Sequence, residues 1–67
     1  MIKPIVRFDV SKDDETKTYT IVQDNDKYYI WEYNEDEENW HNVEPNGNFY
    51  VSLDFVLASN TFQKLFK

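Results

Sequence analysis

This chain predicts an α+β fold: a small antiparallel β-sheet of three to five strands packed against a C-terminal helix. Three observations carry that expectation. Short segments of alternating apolar and polar residues fill most of the chain, turn-forming residues separate them, and apolar residues at helical spacing close it. The 67 residues make one domain, 1–67, with no repeat, low-complexity tract or linker.

Val6, Phe8 and Val10 alternate with Arg7 and Asp9, the pattern of a half-buried strand, and Pro4 sets its start at a strand end or a sheet edge. Ser11–Glu15 is a polar turn. Thr16–Gln23, with β-branched residues around Tyr19, predicts a second strand. Asp24, Asn25 and Asp26 supply a tight turn, because Asn and Asp tolerate positive φ. Lys27–Tyr33 has the clearest alternation, with Tyr29, Trp31 and Tyr33 on one side and Tyr28, Ile30 and Glu32 on the other. An acidic loop, Asn34–Asn39, precedes a short fourth strand at Trp40–Val43. Glu44-Pro45-Asn46-Gly47 is a turn with proline at its second position, and Phe49–Val51 offers a final strand. Ser52 then reads as a helix N-cap, with Asp54 in the first turn where the helix dipole favours an acid. Phe55, Ala58, Phe62 and Leu65 share one helical face, with Leu53, Leu57 and Phe66 adjoining it. Ser59-Asn60-Thr61 interrupts the apolar content, which leaves open two short helices with Asn60 capping the second.

A chain this short buries only about 60% of its unfolded surface, and such domains usually recruit a disulfide, a metal, a partner or dense aromatic packing. With no cysteine, disulfides and thiolate metal sites are excluded. Aromatic residues, 18% of the chain, are the expected substitute, and self-association as a homodimer is the other route. The N-terminal residues carry charge and proline where a signal peptide needs an apolar run, and no stretch reaches the ~18 apolar residues of a membrane span. A cytoplasmic protein, in the host cell if phage-encoded, is the expectation.

The net charge of −6 is unevenly distributed along the chain. Residues 28–63 hold seven acids (Glu32, Glu35, Asp36, Glu37, Glu38, Glu44, Asp54) and no Lys or Arg. Nucleic acid is a poor partner, because neutralising phosphates needs a basic footprint. A basic protein surface is the natural complement, and solubility alone is the plain alternative.

Catalysis needs a nucleophile, a tuned acid–base pair or a metal in a pocket. His41 is the single histidine and lies beside Trp40, and the carboxylates cluster in turns, so no enzyme activity and no cofactor are expected. Asp24, Asp26 and Glu35 match positions 1, 3 and 12 of a calcium loop, but Tyr28 and Tyr29 occupy the places of a ligand and the required glycine. No metal site is expected either. What remains is acid beside aromatics. In an extended segment Glu35 with Glu37, or Asp36 with Glu38, share a face about 6.6 Å apart. A row of carboxylates with aromatic anchors suits a DNA-binding groove. Core packing is favoured for Trp31, while for Trp40 core and interface both stand open.

Gln23-Asp24-Asn25-Asp26-Lys27-Tyr28-Tyr29, the pair Glu32-Tyr33 and Ser52-Leu53-Asp54-Phe55 resemble the small Bacillus-phage inhibitors of uracil-DNA glycosylase. The same order continues through Leu57, Asn60-Thr61 and Lys64-Leu65, so the resemblance spans roughly the second two-thirds of the chain. It implies a dimer of strands plus a helix that imitates DNA, with an apolar pocket for the side chain with which the glycosylase probes the duplex. It also implies interface roles for Glu32 and Phe55. The chain departs from the pattern in an extra segment containing Trp40 and His41, and in Val56 where a glutamate is expected. The leading expectation is therefore an acidic, DNA-mimicking inhibitor of a basic DNA-binding host protein, uracil-DNA glycosylase first. Its partner-binding residues are Glu32, Glu35, Asp36, Glu37, Glu38, Trp40 and Phe55. The alternatives are an immunity or antitoxin-like protein that neutralises a basic toxin, and a structural accessory.

Overall fold

The computed structural model describes residues 1–44 and 46–67. Among them the chain forms a four-stranded antiparallel meander, β1 (Ile2–Lys12), β2 (Glu15–Asp24), β3 (Lys27–Asn34) and β4 (Asn39–Asn42), in the order β1-β2-β3-β4. Two short helices follow, α1 (Leu53–Ala58) and α2 (Asn60–Lys64). The α+β class read from the sequence is the class observed. Among the described residues no helix is long and apolar enough to cross a membrane.

The first hairpin runs further into the polar segment than alternation alone indicates. Lys12 pairs with Glu15 around Asp13 and Asp14, which take φ of 51° and 65°. Two positive φ values in a two-residue loop give the turn whose twist matches its strands, and Asp is among the few residues that accept it. Asn25, at φ 59°, serves the second hairpin, where Asp24 pairs with Lys27.

Paired residues share a face of a sheet, so the register sorts the side chains. Phe8, Tyr19, Ile21, Tyr28 and Ile30 lie on one face, and the N–H of Val43 joins this lane by donating to the Ile30 carbonyl at 2.9 Å. Ile21, Ile30 and Val56 form the buried centre, with Phe8, Tyr28, Val43, Tyr50, Leu53, Phe62 and Leu65 packed around it. Phe8 is the hub of the aromatic packing. Its ring lies 5.5 Å from Tyr19, 5.6 Å from Phe62 and 5.8 Å from Phe66. Dense aromatic contact therefore holds the sheet to α2 in a chain without disulfides.

Three expectations are corrected. Phe49–Val51 adds no strand: Tyr50 alone exchanges two hydrogen bonds with Tyr28, each 2.9 Å, because Ser52 must already leave the sheet to cap α1. The helical stripe is Leu53 and Val56, then Phe62 and Leu65, rather than one built on Phe55 and Ala58. Ser59 stands in extended backbone between α1 and α2, so the second helix restarts with its phase reset. Ser59, not Asn60, caps it, accepting from the Phe62 N–H at 3.1 Å while its hydroxyl donates to the Val56 carbonyl at 2.7 Å. In the turn expected at 44–47, the Gly47 N–H donates to the Glu44 carbonyl at 3.2 Å, and the Pro45 position lies outside the described residues.

Candidate functional site

In a meander, alternate turns fall at the same end of the sheet. The Asp13-Asp14 turn and the Glu35–Glu38 turn thus come to one pole, and with Glu15 they gather seven carboxylates there. Residues 35–38 do not form the extended row that i, i+2 spacing requires. They are a turn between the paired residues Asn34 and Asn39, with Glu38 at φ 52° and the Glu37 N–H donating to the Asn34 Oδ1 at 3.1 Å. Asn34 closes this turn as an Asx cap, and His41 Nε2 lies 2.5 Å from the Glu37 carboxylate.

Beneath the pole is a polar groove whose walls carry Glu15, Lys17, Glu32, Glu35 and Asp36. The structure therefore unites three of the predicted residues, Glu32, Glu35 and Asp36, and adds Glu15 from the neighbouring hairpin. Sequence reasoning missed Glu15 because it lies 17 residues from Glu32 and in the charge-balanced half. The signal available was turn parity. Glu32 is half-buried, paired in register with Tyr19 on one side and His41 on the other. Burial pushes the Tyr19 hydroxyl up to about 12, and the facing Glu32 carboxylate, with Glu15 beyond it, adds to that shift.

The second face of the sheet is different in kind. Its β1–β2 half is polar toward the Asp13-Asp14 turn, with Thr18 donating to Asp9 at 2.8 Å and Ser11 bonded to Thr16 at 2.9 Å, while Thr20 and Val22 are buried beside Trp31 and Tyr29. Its β3–β4 half is aromatic, where Tyr29, Trp31, Tyr33 and Trp40 all stand half-buried. Trp40 meets Tyr33 edge-on at 5.1 Å, and Phe49 reaches round to within 6.4 Å of Tyr29. Neither tryptophan belongs to the core beneath the helices, which corrects the core assignment favoured for Trp31. The cause is strand parity, since Trp31 alternates with the buried Ile30.

Phe55 is 61% exposed. It lines a shallow apolar groove with Phe49, Tyr50, Val51, Ala58 and Ser59. Tyr50 bridges Tyr28 near the start of β3, four residues and about 13 Å from Glu32. Phe55 and Glu32 are therefore not neighbours within one chain. Between the two regions, Glu44 ties the connecting segment to α2. It accepts from Thr61 Oγ1 and from the Tyr50 hydroxyl, both at 2.5 Å, and these bonds hold its carboxyl below the ordinary 4.5.

Comparisons with protein families, with curated proteins and with solved structures give no match to this chain. The site must therefore be read on its own chemistry.

Proposed function

We propose that this protein is an acidic inhibitor that occupies the DNA-binding groove of a basic host enzyme, with its carboxylates standing in for phosphates. The observation that carries the reading is the convergence of Glu15, Glu32, Glu35 and Asp36 on one groove beneath a pole of further acids. A basic groove that recognises phosphates by charge is drawn to such a surface over distances longer than any contact. Affinity then needs apolar anchors, and Phe55, Val51 and Phe49 stand exposed to serve. The resemblance in Glu32-Tyr33 and Ser52-Leu53-Asp54-Phe55 makes uracil-DNA glycosylase the first target to test. That enzyme class extrudes a base and fills the gap with an apolar wedge, so a mimic has to offer both charge and an apolar receptacle. The test is uracil excision from DNA with the purified protein in several-fold excess. Inhibition that Glu32→Gln weakens without loss of fold is the expected result, and undiminished excision removes the glycosylase from the proposal.

A further inference from the structure

We propose that the aromatic face of the sheet, on the side away from the helices, is a docking surface for arginine side chains of a protein partner. Two of this chain's own cations already occupy aromatic rings on that side. The Arg7 guanidinium reaches across from β1 to lie 5.7 Å from the Trp40 ring centre, and Lys27 Nζ lies 4.8 Å from that of Phe49. Both distances fall within the range over which the electron-rich face of a ring attracts a cation. Tyr29, Trp31 and Tyr33 recur at every second residue of β3, which spaces their rings about 6.6 Å apart on one face. The helices pack on the opposite face, and Tyr29, Trp31 and Tyr33 remain partly exposed. In a chain of net charge −6, the occupant that charge selects is cationic. Arginine fits better than lysine, because a planar, weakly hydrated guanidinium stacks on an aromatic ring where an ammonium keeps its water.

The inference rests on the reading of this chain as the partner of a basic protein, but its test is separate. Binding of a decapeptide of alternating arginine and glycine is followed by tryptophan fluorescence, beside the matching lysine–glycine peptide and cellohexaose. Arg7→Gln vacates the Trp40 ring, whereas Lys3→Gln makes the same charge change on the opposite face and away from the acidic groove. The expected result is tighter binding of the arginine peptide to Arg7→Gln than to Lys3→Gln, by about two- to five-fold, with the lysine peptide weaker on every form. Trp40→Leu, which keeps an apolar side chain, is expected to lose that advantage, and circular dichroism identifies any variant that has unfolded. Equal effects of the two charge-removing variants, or equal binding of both peptides, assign the attraction to net charge and overturn the inference. Saturable binding of cellohexaose in place of the arginine peptide assigns the face to sugar rings and overturns it as well. If the arginine peptide discriminates as expected while uracil excision proceeds undiminished, the glycosylase proposal fails and this one stands.

Discussion

Phe55→Ala separates packing from recognition more sharply than any other single change. The residue is 61% exposed, so about two-fifths of a side chain that fully buries roughly 200 Å² is covered, ~80 Å². At about 25 cal/mol per Å², removing the ring costs at most ~2 kcal/mol, and less once the compact unfolded chain is considered. Phe8→Ala is the internal comparison. Phe8 has three ring partners within 5.8 Å, so its truncation belongs with core phenylalanines at about 3–5 kcal/mol. In a domain this small that is most of the stability there is. Urea denaturation followed by tryptophan fluorescence measures both variants, and the excision assay is then run on whatever remains folded. The expected outcome is a modest shift of the Phe55→Ala midpoint together with a loss of inhibition. A midpoint shift as large as that of Phe8→Ala would make Phe55 a packing residue and refute the reasoning. A small shift with inhibition intact would remove Phe55 from the interface.

Three further outcomes follow from the same structure. Glu44→Gln keeps the shape of the side chain but weakens its bonds from Thr61 and Tyr50, and is expected to cost about 1–2 kcal/mol because the group is only half-buried. Its carboxyl is held below 4.5 in the folded chain, so the unfolded chain takes up the proton first. The stabilisation is therefore complete above about pH 4.5 and lost as pH falls through the folded value, and the wild type and Glu44→Gln should converge in acid denaturation. Association with a basic partner should slow steeply as salt rises, since exposed charges are screened beyond about 10 Å at 0.1 M; stopped-flow rates independent of salt would remove the acidic pole from the encounter. Self-association that covers Phe49, Val51, Phe55 and Leu57 should give a dimer in sedimentation at about 50–100 μM, around the scale of a micromolar Kd, and monomer alone counts against it.

The strands were legible because alternation is local. Each residue of Lys27–Tyr33 reports its face through its neighbours, and the pairing of Ile21 with Ile30 follows. The helices were harder. Phe55, Ala58, Phe62 and Leu65 form a stripe only if one uninterrupted helix runs through Ser59, and a single extended residue there turns Phe55 outward and Val56, at 0% exposure, inward. The site was half legible for a related reason. Composition exposed the acidic residues 35–38, but sequence distance hid Glu15, which only the meander carries beside Glu32. The core assignment favoured for Trp31 fails on a different ground. Alternation tells which residues share a face, but not which face the helices will cover, and that choice was made by Leu53, Val56, Phe62 and Leu65.

Charge counted by segment and charge arranged on a surface are different quantities, and the fold converts one into the other through its bases. Residues 1–27 hold six acids and five bases, near balance, yet those bases are largely engaged within the molecule. Lys12 donates to the carbonyl of Lys64, the last residue of α2, where a cation complements the helix dipole, and to that of Lys67 beyond the helix. Arg7 lies over Trp40 and Lys27 over Phe49. Lys3, Arg7 and Lys12 also lie along β1, the long edge strand, which Pro4 and an irregularity between Pro4 and Val6 further protect from pairing with other chains. The turn acids have no such employment: among the described residues Asp13, Asp14, Glu15, Glu35, Asp36 and Glu38 form no ion pair. A partner approaching in solution therefore meets unpaired carboxylates at the pole, while much of the positive charge already holds this chain's own carbonyls and rings. The pole is nevertheless not uniformly acidic: Lys12, Lys17 and Lys64 line a groove with Asp13 and Glu15, whereas Lys17 is the one base among Glu15, Glu32, Glu35 and Asp36, so the side of the pole toward Glu32 is the one a basic partner meets as acid.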